Sequence, residues 1–172
     1  MAETQEILFG TGELFIVTED GGEEVETKVG ESSGEASLNV SYEFRDVRGG
    51  AKNQILKSLM TSETVTFNCG ILTYDLSSIK EFVAGYFSED EIKGTRTLGI
   101  GGNINVPVKR LRFVHTKEDG KTITLEMYKA QNRAGLNWIF NPEEETVFAY
   151  EFSLLADTSK SNGNIVQIIE QI

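Results

Sequence analysis

Apolar and polar residues alternate along several segments of the chain, and this period of two predicts β-strands. In the clearest run, one face carries the apolar side chains Ala36, Leu38, Val40, Tyr42 and Phe44. The intervening positions are polar: Ser37, Asn39, Ser41, Glu43 and Arg45. We therefore expect one face of this strand to pack on a core and the other to meet water or a partner.

Two further alternating runs, residues 110–116 and 122–129, predict a β-hairpin closed by a Glu-Asp-Gly sequence that ends at Gly120. A two-residue turn would place core residues opposite solvent-facing ones. A three-residue loop with Gly120 in the left-handed conformation keeps the faces matched. This register pairs Leu111 with Met127, Phe113 with Leu125 and His115 with Ile123. It also sets Arg112 opposite Glu126, which is a favourable cross-strand charge pair.

The remaining periodic segments complete a mainly β prediction. Strands are expected at residues 7–9, 14–17, 64–68, 95–100, 136–140, 146–155 and 165–169. One helix is expected over residues 72–84, because Leu72, Leu76, Ile79 and Val83 recur at helical spacing. Thr73 or Asp75 would cap this helix, and Gly85 would end it. The length of 172 residues favours one domain over residues 1–172, a β-sandwich or split barrel with one flanking α-helix.

Two segments lack a clear period. Residues 18–35 carry seven acidic residues and one basic residue, and they predict a long flexible loop that is either disordered alone or ordered by a partner. Residues 49–61 cluster the apolar side chains Ile55, Leu56, Leu59 and Met60. This second segment is compatible with a short helix, a loop that crosses the core, or a segment that contacts another subunit.

Charge and cysteine content exclude several classes of protein. The 16 basic and 27 acidic residues give a net charge of -11, which opposes simple binding to a phosphate backbone. The single cysteine, Cys69, and single histidine, His115, exclude an internal disulfide and a structural zinc site. The opening sequence lacks the features of a signal peptide, and no run approaches the ~20 apolar residues that span a bilayer. We therefore expect folding in a reducing cytoplasm without membrane contact.

No group of residues carries the signature of a catalytic, cofactor or metal site. His115 and Cys69 both lie on predicted strands, where structural roles are expected. Residues 99–102 read Gly-Ile-Gly-Gly, but no Gly-Lys-Ser/Thr follows, so a turn is expected instead of a phosphate loop. The acidic groups 89–91 and 143–145 lack the spacing of a calcium loop and are expected to be solvated. These features favour a structural or binding role over an enzyme.

Read in order, the chain resembles the major tail tube proteins of long-tailed bacteriophages. The resemblance lies in residues 10–16 (GTGELFI), 110–130 (RLRFVHTKEDGKTITLEMYKA) and 145–157 (ETVFAYEFSLLAD), followed by a polar loop and a short apolar C-terminal strand. The order of elements also agrees: an early strand, a long loop, a helix in mid-chain, a hairpin and two last strands. As a pattern, the resemblance covers most of the chain.

The resemblance implies a structural virion protein with a long flexible loop and terminal arms, which assembles as hexameric rings. These rings stack into a hollow tail tube that conducts DNA during ejection, so DNA is only a non-specific passing cargo. Related tubes occur in contractile tails, tail-like bacteriocins and type VI secretion. The implied partners are further copies of the chain and the tape-measure, tail-tip and tail-terminator proteins. The implied location is the virion tail, after assembly in the host cytoplasm.

Candidate contact and lumen residues follow from combining the resemblance with the strand pattern. The candidate inter-ring or inter-subunit contacts are Glu23, Glu24, Val25, Val29, Ile55, Leu56, Leu59 and Met60. The candidate lumen face is Ser37, Asn39, Ser41 and Glu43. An acidic lumen would repel DNA phosphates and let the genome slide without sticking.

Two other functions stay open. The first is a monomeric ligand- or carbohydrate-binding β-sandwich, in which Trp138, Tyr128 and Tyr150 would form a concave site. The second is an enzyme with a carboxylate pair that no motif singles out, because carboxylate separation is a property of the fold. A binding module would stay monomeric and be stabilised by a sugar or lipid, whereas a tube subunit would self-associate.

Overall fold

The computed structural model describes residues 8–172 and is mainly β. The strands are β1 (Gly12–Asp20), β2 (Glu23–Lys28), β3 (Ser32–Gly49), β4 (Gln54–Ile71), β5 (Gly85–Asp90), β6 (Thr95–Ile100), β7 (Val108–Thr116), β8 (Thr122–Asn132), β9 (Phe148–Leu155) and β10 (Val166–Glu170). One short helix, α1, spans Leu76–Ile79. Within the described range, no helix has the length and apolar character needed to cross a membrane.

Eight strands form one antiparallel sheet in the order β2-β1-β7-β8-β9-β4-β3, and β10 pairs with β8. Strands β5 and β6 form a separate hairpin. The large sheet curls around one core, because Phe67 on β4 and Phe113 on β7 lie far apart in the strand order while their ring centroids are 5.2 Å apart. The predicted sandwich or split barrel with one helix is therefore confirmed.

The β7–β8 hairpin has the predicted register. Leu111 pairs with Met127, Phe113 with Leu125, His115 with Ile123 and Arg112 with Glu126. The Lys117 amide donates to the Lys121 carbonyl at 2.8 Å, so three residues form the loop. Gly120 has a φ of +84°, the left-handed conformation that the loop requires.

Three of the predicted elements differ in the structure. The strand predicted at residues 136–140 is not formed. At residues 7–9, Ile7 lies outside the described residues, and Leu8 and Phe9 are not in a strand. The helix is shorter than predicted: Asp75 does cap it, accepting from the Ser77 amide at 3.0 Å, but Gly85 begins β5 instead of ending the helix.

Core packing explains the short helix. After α1 the chain turns so that the Phe82 ring lies 4.9 Å from Tyr150 and 5.1 Å from Phe152. The buried Asn132 side chain donates to the Phe82 carbonyl at 3.1 Å, replacing the bond that a longer helix would supply. Tertiary contacts thus override the helical spacing of residues 72–84.

The predicted flexible loop at residues 18–35 is wrong. The structure places a tight β1–β2 hairpin there, turning at Gly21 and Gly22, whose φ angles are +60° and +89°. Both glycines supply the left-handed conformations that a two-residue hairpin turn needs. Residues from Ser32 onward already belong to β3.

An ion network explains why this acidic segment folds. The Glu126 carboxylate is 5% exposed and accepts from Nε of Arg110 at 2.7 Å and Nε of Arg112 at 2.6 Å. The same guanidinium groups reach Glu24, each at 2.9 Å, and Arg112 also donates to Glu26. Hydrogen bonds from Arg112 and Arg110 lower the pKa of Glu24. The acids of β2 are therefore counter-ions for two arginines of β7.

We expect Gly120→Val to lower the free energy of unfolding by about 1–3 kcal/mol, because a β-branched residue is strained in the left-handed conformation. Open space surrounds the position, so the loss would come from the backbone and not from a clash. Gly120→Asn, which tolerates this conformation, is the matched control and should cost less. A urea titration measures both, and an unchanged midpoint for the valine variant would contradict the three-residue loop.

Replacing the buried carboxylate, Glu126→Gln, should lower the free energy of unfolding by about 3 kcal/mol, because two arginines lose their shared counter-ion. Glu13→Gln is the control, since Glu13 pairs with Lys28 at 3.0 Å on the exposed surface and should cost less than about 1 kcal/mol. Equal losses for the two variants in guanidinium titrations would show that the network does not hold β2 in place.

Candidate assembly surface

The β3–β4 hairpin continues far beyond the rest of the sheet. Strand β9 pairs with β4 only from Thr66 to Ile71, and within the described residues no other strand pairs with the hairpin beyond that point. Residues 40–64 therefore form a two-stranded projection, which we call the arm. At about 3.3 Å per residue, the arm extends about 30 Å.

Apolar side chains run from the core onto one face of the arm. Ala36 and Leu38 pack against the core, as the alternation predicted. The next residues on that face were also expected to be buried, but Tyr42 is 52% exposed and Phe44 is 61% exposed. The difference arises because the pairing of the neighbouring strand β9 with β4 ends at Thr66, so the arm extends beyond the core, and residues 163–166 reach this face only at its root.

The exposed apolar side chains on this face form a patch that reaches Phe44 and Met60. Phe44 pairs with Met60 across the ladder, and the rings of Tyr42 and Phe44 lie 6.5 Å apart. At its root, Val40 and Tyr42 line a cleft with residues 163–166. An exposed apolar surface that extends a buried core in this way is typical of an interaction site.

Four of the predicted contact residues lie on the arm. Ile55, Leu56, Leu59 and Met60 belong to β4, and each is at least 43% exposed. Residues 49–61 are thus the tip of a hairpin, neither a helix nor a loop that crosses the core. Register shifts in the ladder leave Leu56 and Thr61 without an opposite residue, so this part of the arm is bulged.

The other four predicted contacts lie on or next to β2 and divide into two pairs. Glu23 and Val25 are exposed and available. Glu24 is held by Arg110 and Arg112, and Val29 is only 4% exposed in the core. Val29 as an intersubunit contact is therefore wrong, because its side chain is buried in the core of the subunit.

The predicted lumen face is a single polar surface. Ser37, Asn39, Ser41 and Glu43 pair with Asn68, Thr66, Thr64 and Ser62, in that order. Glu43 is the one charged residue among these eight, and it accepts from the Ser62 hydroxyl at 3.0 Å. The surface is hydroxyl-rich and nearly neutral, so the acidic excess of the chain lies elsewhere.

The residues considered for catalysis are integrated into the fold. Nδ1 of His115 lies 2.7 Å from the Thr11 carbonyl oxygen, where β1 meets β7. Cys69 is buried, and this burial raises the pKa of its thiol to about 12. Gly101 and Gly102 adopt positive φ after β6, which confirms the turn. Within the described part of the chain, no three acidic, histidine or cysteine side chains group as metal ligands.

The aromatic residues considered for a sugar site do not converge. Tyr150 is 4% exposed beneath Phe82. Trp138 instead stacks on Phe140 at 5.2 Å, and Tyr128 faces Lys160 at 5.3 Å. The concave site predicted from these rings is wrong, because β9 turns Tyr150 into the core.

Sequence reasoning missed the arm as a unit and the pairing of Glu24 with the β7 arginines. The available signal for the arm was that two predicted strands, the alternating run at residues 36–45 and the strand at 64–68, flank the Gly-Gly-Ala-Lys-Asn sequence at residues 49–53. A scan against protein-family models and a search of curated proteins find no match to this chain.

Proposed function

We propose that this chain is a structural subunit that self-associates through its arm into rings, and that the rings stack into a hollow tube. The observation that carries the proposal is the arm itself: a projecting hairpin that exposes an apolar patch of Tyr42, Phe44 and Met60 on one face. The resemblance to major tail tube proteins supplies the hexameric ring and the tail tube as the specific form of this assembly.

The arm has physical reasons to acquire neighbours. A two-stranded ladder exposed on both faces is at best marginally stable in water, so added contacts would stabilise it. Strand β3 is also the end of the sheet order, which leaves one edge of an 18-residue strand available for hydrogen bonding. Long edge strands with apolar side chains are strong templates for pairing with another chain.

The two faces support an assignment of inside and outside. The eight residues of the hydroxyl-rich, nearly neutral surface include no cationic group that would bind phosphates, so this surface suits a water-filled lumen through which DNA passes. The opposite face, with Tyr42, Phe44 and Met60, suits burial against a neighbouring subunit. In this proposal most of the acidic residues that give the chain its negative charge lie away from the lumen surface.

The proposed role is structural, with DNA as a passing cargo. Tape-measure, tail-tip and tail-terminator proteins are the partners that the resemblance implies, and the virion tail is the implied location. The alternative hypothesis of a monomeric binding module is less well supported, because Trp138, Tyr128 and Tyr150 do not share a site.

Substitution of the apolar face should prevent assembly. We expect the parent protein to form rings or tubes of regular width in negative-stain electron microscopy over a concentration series. Phe44→Asp should leave a folded monomer, because burying an unpaired carboxylate at a contact is strongly unfavourable. Light scattering on the same samples measures the fraction assembled.

Ser41→Asp is the matched control, since it adds the same charge three residues earlier, on the polar face of the arm. It should assemble like the parent. Monomers at every concentration for the parent, or equal assembly of the Phe44→Asp variant, would contradict the proposed role of the arm.

A further inference from the structure

The tip of the arm carries a charge opposite to that of the whole chain. Residues 44–61 contain four basic residues and one acid, a net charge of +3 in a chain of net charge -11. The basic residues Arg45, Arg48, Lys52 and Lys57 are all exposed. Across residues 8–172 none of them forms an ion pair, and Arg48 donates instead to the Asn53 carbonyl at 3.4 Å.

The turn of the β1–β2 hairpin is the acidic counterpart. Glu19, Asp20 and Glu23 are exposed and have no cationic partner among the described residues. The ladder sets Glu19 opposite Glu24 and Asp20 opposite Glu23. Like charges directly opposite each other destabilise a β-ladder, and the β7 arginines reach Glu24 alone of these four acids. An external cationic surface would relieve this repulsion.

We propose that the arm tip of one copy docks against the β1–β2 turn of a second copy. This inference rests on the proposed function and names the charged contact within it. The basic arm tip and the acidic turn lie on different hairpins, and their described residues form no ion pair with each other within one copy. Each surface can therefore pair with the opposite charge on a second copy. A contact between two different surfaces of identical subunits is heterologous, and it generates rings or stacks.

A second copy fits the arm tip better than nucleic acid does. The three unpaired acids of the β1–β2 turn match the net charge of +3 on the arm tip, and they are present at the same concentration as the arm itself. A polyanion would instead meet the repulsion of the other acidic residues, because the whole chain is strongly negative. Nucleic acid is the competing occupant that the experiment tests.

Two charge-reversed proteins test the contact. The arm-reversed protein carries Arg45→Glu, Lys52→Glu and Lys57→Glu, and the turn-reversed protein carries Glu19→Lys, Asp20→Lys and Glu23→Lys. Neither should assemble alone, with the assembly concentration raised at least about tenfold by like-charge contacts. An equimolar mixture should assemble, because each reversed surface then finds its opposite on the other protein. Sedimentation velocity measures all three samples.

A matched control reverses three acids elsewhere: Glu143→Lys, Glu144→Lys and Glu145→Lys, in an exposed segment before β9. It changes the net charge as much as the turn-reversed protein does and should assemble like the parent. Restoration in the mixture would also show that both reversed proteins are folded.

The outcomes separate this inference from the proposed function. If the parent, the control and each reversed protein alone all assemble at the same concentration, the charged contact is overturned. The proposed function is then left intact. Monomers in every sample, including the parent and the mixture, would overturn both. A gel-shift assay with duplex DNA tests the competing occupant: if the parent binds DNA and the arm-reversed protein assembles normally but no longer binds it, the arm tip is assigned to nucleic acid and the contact between copies is overturned.

Discussion

The point at which β9 stops pairing with β4 determines where the core ends and where the arm begins. Strand β9 accompanies β4 only from Thr66 to Ile71, so the barrel and its core end there. The β3–β4 ladder nevertheless continues to Gly49 and Gln54, and β3 keeps its alternation of apolar and polar side chains as far as Phe44. Inside the barrel this pattern buries Phe67, but in the arm the same pattern exposes Phe44. A single amphipathic hairpin therefore serves as core wall at one end and as uncovered surface at the other.

The ion network around Glu126 pairs some of the acidic residues of the β1–β2 hairpin with arginines and leaves the others unpaired. Arg110 and Arg112 bring Glu24 and Glu26 against β7, which converts part of an acidic segment into ordered sheet. The network does not extend to the turn, where Asp20 and Glu23 lie opposite each other with no cationic partner among residues 8–172. The monomer thus has an uncompensated anionic turn on one hairpin and an uncompensated cationic tip on another, which makes contact between copies electrostatically favourable.

The elements that could be predicted from the sequence are those whose structure depends on residues nearby in the chain. The β7–β8 register could be deduced because each core pair, such as Phe113 with Leu125, had to share a face, and one glycine position satisfied the loop. The short helix could not be deduced, since the bend after Ile79 depends on Asn132, which lies far away in sequence. The folding of the acidic segment likewise depends on arginines more than eighty residues later. Alternation identified the faces of β3, but no sequence pattern states where a neighbouring strand stops.

The central claim is that the arm is covered by other copies in the functional state. Hydrogen–deuterium exchange of residues 40–64, compared below and above the assembly concentration, tests it most directly. We predict that arm amides exchange much more slowly in the assembled protein, while those of the separate β5–β6 hairpin change little. Assembled protein whose arm amides exchange as fast as in the monomer would contradict the account.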